Sequence, residues 1–191
     1  MKILFIHGLA SSGAYKMAAS LRILLKDSYV IAPDVPIRLP DAMDLLEGIC
    51  RRENPDITIG LSWGGFLAQK LRERRKMLIN PDLHISRILK TKIGEQRYLS
   101  PRKNGETTFI ISEEICNEYV EAEKAQYEGL TPSEIGMTTG MFAQNDELVH
   151  CGSEFEQHYL GQAHYYPGCH LPNYPEIKKY ILPILMKEME R

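Results

Sequence analysis

The length, composition and charge of this chain fit a single globular domain. It has 191 residues, of which 43% are hydrophobic and 25% are charged, and its formal net charge is −2. That length supports one hydrophobic core, and the small net charge gives no indication of binding to nucleic acid or to an anionic membrane surface. No apolar run approaches the ~20 residues of a membrane-spanning helix. We therefore expect one soluble domain over residues 1–191.

Cysteine usage predicts a cytoplasmic protein. The four cysteines are Cys50, Cys116, Cys151 and Cys169, and no two of them form a C-x-x-C pair. This spacing does not suggest the disulfide framework of a small secreted protein. Cys169 lies next to His170 and near His164, but the three do not have the spacing of a zinc site, which needs three or four ligands. We expect no metal site.

Strands and helices alternate through the first 82 residues. Short apolar runs predict strands at residues 2–6, 29–32, 57–61 and 77–79. Apolar residues at helical spacing predict helices at about residues 14–26, from Pro40 to Asn54, and from Ser62 to about Arg75. The first apolar run is too short for the core of a signal peptide, so we interpret it as a strand. Alternation of this kind is typical of a parallel sheet covered by helices on both faces.

The alternation is interrupted by an insertion at about residues 83–131. This segment contains no clear strand, and it has a basic first half and an acidic second half. Ser112 is suited to cap a helix that carries Tyr119 on its apolar face. We predict a helical lid over the site, with Tyr119 and Tyr127 packed on the pocket. The charged runs are either solvated faces or a phosphate-binding patch.

The last third of the chain completes the predicted sheet. Strands are predicted at residues 137–143 and 163–166, and a helix at residues 149–160. A final helix at residues 174–189 should be kinked or restarted at Pro183. The fold class is therefore α/β, with about six mainly parallel strands, helices on both faces and a helical lid insertion.

A candidate nucleophile lies at the end of the third predicted strand. The residues Gly60-Leu61-Ser62-Trp63-Gly64 fit the pattern G-x-S-x-G between a strand and a helix. In that context the serine occupies a strained turn with its hydroxyl exposed. The adjacent helix N-terminus favours developing negative charge at the serine oxygen. The alternative is that Ser62 only caps the helix, but this does not account for three glycines in the turn.

The candidate base is His170. A serine hydroxyl needs a neighbouring base to become a good nucleophile, and histidine is the usual one because its pKa lies near neutrality. His170 follows the last predicted strand, in a loop that contains Gly168. The alternative is a histidine that only holds its own turn. His7 also ends a strand, but the adjacent Gly8 suggests a role for the backbone there.

A third group should orient the histidine and stabilise it when charged. Asp146 follows the strand before the one that leads to His170, which gives the chain order Ser62, Asp146, His170. Consecutive parallel strands are usually neighbours, and we therefore predict Asp146. Its rivals are Asp34, Asp82 and Glu147.

Acyl transfer passes through an oxyanion that needs two N–H donors. The backbone N–H of Trp63 follows the nucleophile directly, and the second donor is predicted to be the backbone N–H of Leu9, just after the first strand. The side chain of Trp63 either lines an acyl pocket or simply packs in the core.

Several stretches, spread in order over nearly the whole chain, carry a resemblance to a known family. They are residues 5–12 (FIHGLASS), 32–36 (APDVP), 60–65 (GLSWGG), 78–81 (LINP) and 93–96 (IGEQ), Asp146-Glu147, and the loop that ends at His170. In these stretches the chain resembles the α/β-hydrolases, and among them the small single-domain bacterial esterases of the YqiA type. The resemblance implies a Ser–Asp–His triad, no cofactor, and activity on acyl esters or thioesters.

The sequence therefore predicts a serine hydrolase whose partner is a small-molecule acyl ester or thioester. Two alternatives remain open. One is a non-catalytic, partner-binding protein with this fold, because a fold alone does not establish an activity. The other is a serine peptidase that uses the same three side chains.

Overall fold

The computed structural model of the chain describes residues 1–190. Its strands are β1 (Lys2–Ile6), β2 (Tyr29–Ile31), β3 (Ile57–Leu61), β4 (Lys76–Ile79), β5 (Gly94–Arg97), β6 (Thr108–Ile111), β7 (Thr138–Ala143) and β8 (Ala163–Tyr166). Its helices are α1 (Lys16–Leu24), α2 (Leu39–Glu53), α3 (Trp63–Lys70), α4 (Ile85–Lys90), α5 (Glu113–Lys124), α6 (Pro132–Gly136), α7 (Gly152–His158), α8 (Tyr174–Glu176) and α9 (Leu182–Met189). No helix within residues 1–190 combines the length and the apolar character that crossing a membrane requires.

The main sheet confirms the predicted α/β class. Six strands pair in the order β2-β1-β3-β4-β7-β8, and every pair is parallel. All six carboxyl ends therefore lie at one edge of the sheet. The loops that follow β1, β3, β4, β7 and β8 meet at that edge, which is where sites form in open α/β sheets.

The core lies on both faces of this sheet. Along β1, Ile3 and Phe5 join a buried cluster that includes residues of α1 and α9. Leu4 and Ile6 alternate with them and join a second cluster that includes residues of α2, α3 and α5. Burial on both faces explains why β1, β3 and β4 are mostly apolar along their whole length.

The insertion contains a β-hairpin that the sequence analysis did not predict. β5 and β6 pair antiparallel, with Glu95 opposite Ile110, and form a separate two-stranded sheet. The expectation of no strand in this segment was wrong because β5 is polar and only half-buried, so it lacks the apolar run on which strand prediction depends. The predicted helix is confirmed as α5, and the side-chain oxygen of Ser112 caps it by accepting a hydrogen bond from the backbone N–H of Ile115 at 3.2 Å.

The C-terminal helix is irregular next to Pro183, as predicted. A π-helical turn, Ile177–Ile181, separates α8 from α9. Leu182, the residue after the turn, donates its backbone N–H to the carbonyl of Ile177, five residues earlier. The turn ends directly before Leu182-Pro183, where proline supplies no backbone N–H to continue the helical pattern. By contrast, α3 ends earlier than predicted, because the backbone of Leu71 is already extended.

Candidate active site

Ser62 lies on a strained turn between β3 and α3. Its backbone angles are φ 55° and ψ −119°, a conformation that a non-glycine residue rarely adopts. The turn is held by the sheet: the backbone N–H of Ser62 donates to the carbonyl of Ile79 at 2.9 Å, and its carbonyl accepts from Gly65 at 2.8 Å. The strained turn is the one predicted from the G-x-S-x-G pattern, but Ser62 is buried and not exposed as that pattern suggested.

The glycines around Ser62 are required by close backbone packing. A Cβ on Gly60 would collide with the carbonyl oxygen of Gly64, and a Cβ on Gly64 would collide with the carbonyl oxygen of Ile6. At Gly65 a Cβ would lie 2.8 Å from the Cβ of Pro81. These contacts account for the three glycines of the turn, which helix capping by Ser62 did not explain.

The structure brings Ser62, His170 and Asp146 into one hydrogen-bonded chain. Nε2 of His170 lies 2.9 Å from Oγ of Ser62, and Nδ1 lies 2.7 Å from Oδ2 of Asp146. An ionised carboxylate only accepts hydrogen bonds, so the ring hydrogen lies on Nδ1 and Nε2 accepts from the serine hydroxyl. The exposed fractions are only 5% for Asp146, 8% for His170 and 9% for Ser62.

Asp146 is held in its ionised form. Its second oxygen, Oδ1, accepts hydrogen bonds from the backbone N–H groups of Leu148 at 2.8 Å and Val149 at 2.9 Å. Burial alone would raise the pKa of Asp146, but the hydrogen bonds from His170, Val149 and Leu148 outweigh it and lower the pKa below its ordinary value. A carboxylate in this state can both orient the imidazole and stabilise it when it becomes charged.

Neither rival aspartate hydrogen-bonds to His170. Asp34 accepts from the backbone N–H groups of Gly13 and Lys103, both at 2.7 Å, and so ties two loops together. Asp82 is buried, and its Oδ1 accepts from the backbone N–H of His84 at 3.1 Å. The third rival, Glu147, is exposed.

His7 supports the backbone, as the sequence indicated. Its Nδ1 donates to the carbonyl of Gly8 at 2.8 Å, and its Nε2 accepts from the backbone N–H of Val35 at 3.0 Å. Burial lowers the pKa of His7 to about 4, so the ring is neutral near pH 7. His7 therefore fixes the start of the loop that carries Leu9.

The two residues predicted to supply oxyanion donors belong to segments next to Ser62. Trp63 is the first residue of α3, so its backbone N–H has no acceptor within the helix. A Cβ on Gly8 would lie 3.6 Å from the Cβ of Ser62, which places the loop after β1 directly against the nucleophile. Leu9 is the next residue of that loop.

The insertion packs directly against this edge of the sheet. Trp63 donates its indole N–H to the hydroxyl of Tyr119 at 2.8 Å, and Tyr119 donates to the carbonyl of Ile37 at 2.8 Å. Tyr127 contacts α7 instead: its hydroxyl donates to Glu154 at 2.8 Å. The predicted packing of Tyr119 beside the site is therefore present, whereas Tyr127 lies against another element.

The hairpin loop of the insertion holds the loop after β1. Leu99 donates its backbone N–H to the carbonyl of Ala10 at 2.7 Å. The buried guanidinium of Arg102 donates to the carbonyl oxygens of Ser11, at 3.4 Å, and Val35, at 3.2 Å. These contacts connect the insertion to the segment that carries Leu9.

Residues 2–128 match the uncharacterised protein family UPF0227. The chain belongs to this family. The matched region includes Ser62 and ends before Asp146 and His170. No curated protein matches the sequence.

Solved structures similar to this UPF0227 member are α/β-hydrolases. One, of the metagenome-derived lipolytic enzymes LipS and LipT, has 15% identity and a TM-score of 0.65, covering 99% of this chain and 93% of that chain. The mouse alpha/beta hydrolase domain-containing protein 10 has 14% identity and a TM-score of 0.65, with coverages of 98% and 90%. A pyrethroid hydrolase from Sphingobium faniae JZ-2 has 14% identity and a TM-score of 0.61, with coverages of 100% and 97%. Such identities show the fold alone.

A cavity of about 380 Å³ lies beside the loop after β4 of this UPF0227 member. Its wall includes Asp82, His84 and Glu154, and the backbone N–H of Asp82 donates to the carbonyl of Ser62 at 3.2 Å. On the side of the hairpin, the space around Trp63 is almost filled, with a volume of about 10 Å³. The wall of the larger cavity is formed by residues of α4, α7 and the loops beside them, and Ser62 and His170 are not among them. Within residues 1–190, no group of three His, Cys, Asp or Glu side chains is placed to hold a metal ion.

Asn80 is a residue of this site to which the sequence analysis gave no role. It follows β4 with φ 44°, a left-handed conformation that asparagine tolerates better than most residues. Its side chain donates to the backbone carbonyl of His170 at 2.8 Å and accepts from the backbone N–H of Ala143 at 2.7 Å. The signal was the Asn-Pro pair after the strand, which marks a turn but does not indicate what the asparagine contacts.

Proposed function

We propose that this protein is a serine hydrolase, an esterase or thioesterase, that cleaves acyl esters through an acyl-enzyme intermediate. The observation that supports it most strongly is the continuous hydrogen-bonded chain from Ser62 through His170 to Asp146, on a strained turn. Such strain persists only where the surrounding structure enforces it, and it is concentrated at functional sites.

In the first half of the reaction, Oγ of Ser62 attacks the acyl carbonyl carbon while Nε2 of His170 takes the hydroxyl proton. The carbonyl oxygen becomes an oxyanion that receives hydrogen bonds from the backbone N–H groups of Leu9 and Trp63. When the tetrahedral intermediate collapses, the bond to the alcohol or thiol breaks. His170 returns its proton to that leaving group, and the acyl group remains on Ser62.

In the second half, a water molecule replaces the leaving group. His170 takes a proton from the water as its oxygen attacks the acyl carbon, and the same two N–H groups stabilise the second oxyanion. Collapse releases the carboxylic acid, and the proton on His170 returns to Oγ of Ser62. Asp146 stays ionised throughout and stabilises His170 while the ring is charged, which fits its lowered pKa.

The substrate is proposed to be a small acyl ester or thioester whose carbonyl carbon lies at Oγ of Ser62. The insertion at residues 83–131 contacts two segments around that position. It supports Trp63 through Tyr119, and it holds the loop of Leu9 through the backbone N–H of Leu99. In this proposal the insertion is a lid that determines acyl preference. We also propose a cytoplasmic location, since all four cysteines are free thiols.

The test is turnover of a substrate panel by purified protein. p-Nitrophenyl acetate, longer p-nitrophenyl esters, acyl thioesters and peptide anilides would be compared for wild type and Ser62→Ala. Removal of a nucleophile of this type lowers kcat by on the order of 10⁴-fold or more. The matched control is Ser133→Ala, an exposed serine on α6, before the amino end of β7.

We expect wild type and Ser133→Ala to hydrolyse esters or thioesters, and Ser62→Ala to be inactive but folded. Activity retained by Ser62→Ala would contradict the mechanism. Preferential cleavage of the anilides would favour the peptidase, and a folded wild type without any hydrolysis or reactivity towards fluorophosphonates would favour the partner-binding alternative.

A further inference from the structure

We propose that Asn80 is a positioning residue that holds the loop of His170 in register with Asp146 and Ser62. This inference rests on the proposed function. It concerns how the base is kept in place, since Asn80 has no contact with the reacting atoms.

The side chain of Asn80 joins three segments of the site. Its Oδ1 accepts from the backbone N–H of Ala143 at 2.7 Å, at the end of β7. Its Nδ2 donates to the carbonyl of His170 at 2.8 Å, the hydroxyl of Tyr166 at 3.0 Å and the carbonyl of Cys169 at 3.3 Å. One amide group thus connects the strand that leads to the acid with the loop that carries the base.

The anchor itself is rigid. Asn80 is only 1% exposed, and its backbone N–H donates to the carbonyl of Met141 at 2.8 Å. It directly follows Ile79, whose carbonyl holds the backbone N–H of Ser62 at 2.9 Å. The nucleophile and the asparagine are therefore fixed to the same end of β4.

The loop of His170 needs such an anchor because of the sheet order. β8 is an edge strand that pairs only with β7, and the chain leaves the sheet after Tyr166. The backbone N–H of Asn145 donates to the carbonyl of Gly168 at 3.0 Å, which tethers the loop to the turn after β7. Asn80 reaches across β7 and tethers the loop to β4, so its bonds fix His170 relative to Ser62.

The primary test is Asn80→Asp. The aspartate has the same size, tolerates the left-handed backbone and can still accept from Ala143, but it presents an acceptor to the carbonyl of His170. Misplacement of a catalytic group by about 1 Å can cost on the order of 10²-fold in rate. We expect kcat and the rate of fluorophosphonate labelling to fall by about that factor, with KM nearly unchanged.

A spectroscopic readout separates positioning from general stability. The proton on Nδ1 of His170, in its 2.7 Å hydrogen bond to Asp146, should give a far-downfield NMR resonance. We expect this resonance to shift or broaden in Asn80→Asp and to disappear in Asp146→Asn. It requires no substrate, so it tests Asn80 even if the substrate panel shows no turnover.

The matched control is Tyr166→Phe. It removes one bond of Asn80 but leaves its bonds to the carbonyls of His170 and Cys169, so kcat and the downfield resonance should stay close to those of wild type. If Asn80→Asp does not fold, Asn80→Gly takes its place, because glycine adopts φ 44° without strain.

Two results would overturn the inference. The first is a folded Asn80 variant with wild-type kcat and an unchanged resonance. The second is that neither variant folds, which would assign Asn80 to fold stability. A wild type that is unreactive towards esters and fluorophosphonates, but whose resonance responds to Asn80→Asp, would reject the proposed function and keep the positioning role.

Discussion

Trp63 and Tyr119 are joined by a buried hydrogen bond of 2.8 Å, from the indole N–H to the phenol oxygen. Trp63 follows the proposed nucleophile, and Tyr119 belongs to helix α5 of the insertion. Burial raises the pKa of Tyr119, so its hydroxyl stays protonated and can also donate to Ile37. This contact connects the insertion to the residue that is expected to bind the oxyanion.

Replacement of Tyr119 should therefore alter substrate preference. Tyr119→Phe removes the acceptor of the Trp63 indole, which leaves a buried donor unsatisfied at a cost of about 1–3 kcal/mol. We expect Trp63 to shift and the ratio of kcat/KM for short and long acyl esters to change. The unsatisfied donor should also lower the melting temperature by several degrees. The measurement is an acyl-length series, with Tyr29→Phe on the exposed edge of the sheet as control. An unchanged acyl-length profile in folded Tyr119→Phe would show that the insertion does not determine preference.

The guanidinium of Arg102 should hold in place the loop after β1, which carries the proposed oxyanion donor Leu9. It is buried, lies over the ring of Tyr98 at 4.3 Å, and donates to the carbonyls of Ser11 and Val35. Arg102→Met keeps the bulk of the side chain but removes these donors. Loosening the segment of Leu9 should lower kcat about tenfold, since only the placement of one oxyanion donor is affected.

The control for Arg102 is Lys103→Met, because Lys103 contacts Asp34 through its backbone N–H and not through its side chain. We expect this variant to keep wild-type kcat. If both variants fold and both keep the kcat of wild type, the contacts of the hairpin do not contribute to catalysis.

The ionised forms of Asp82 and Asp34 should change the free energy of unfolding in opposite directions. Burial raises the pKa of Asp82, with Glu123 adding to it and the backbone N–H of His84 opposing it. Its ionised form is therefore disfavoured by folding, which lowers stability above the folded pKa. Asp82→Asn keeps the acceptor for His84, so it should raise the free energy of unfolding near pH 7. The gain should vanish below about pH 4, the ordinary carboxyl pKa.

Asp34 provides the contrast. Burial opposes ionisation, but hydrogen bonds from the backbone N–H groups of Lys103 and Gly13 lower the pKa of Asp34 overall. Its ionised form stabilises the fold above the ordinary carboxyl pKa, and this stability is lost as the pH falls through the lower, folded value. Asp34→Asn should thus destabilise the protein near pH 7. Urea titrations of both variants at several pH values would measure their free energies of unfolding. A lower free energy of unfolding for Asp82→Asn than for wild type at pH 7 would contradict the prediction for Asp82.

Replacement of the proposed acid should affect turnover most among the aspartates. Asp146→Asn keeps the size of the side chain but can stabilise the wrong tautomer of His170, which costs on the order of 10⁴-fold in kcat. Asp34→Asn and Asp82→Asn should cost far less, since neither side chain hydrogen-bonds to the ring. A larger loss of kcat in Asp82→Asn than in Asp146→Asn would show that the acid has been assigned incorrectly.

Local patterns were enough to predict the sheet and the turn of Ser62. Strands β1, β3 and β4 are buried and mostly apolar, and the glycines around Ser62 are dictated by backbone contacts only a few ångströms away. The choice between Asp146 and Asp82 needed the assumption that β7 lies beside β8, which the sheet order bears out. The catalytic roles of Ser62, Asp146 and His170 remain predictions.

Features that depend on distant contacts were missed. Hairpin β5–β6 has a polar first strand that carries no apolar period. Asn80 acquires its importance from a carbonyl 90 residues later in the chain, and an asparagine before a proline has no local pattern that distinguishes such a tether from a simple turn. Helix α3 ends at Lys70 although apolar residues continue to Leu71, because the chain must turn there to enter β4.

The most direct test of the central claim is to locate a covalent adduct on the protein. Purified wild type and Ser62→Ala would be treated with a fluorophosphonate, and intact mass spectrometry followed by peptide sequencing would identify the modified residue. The account predicts one adduct, on Ser62, that forms on wild type and is absent from Ser62→Ala. A folded wild type that forms no adduct, or one modified at another residue and equally in both proteins, would contradict it.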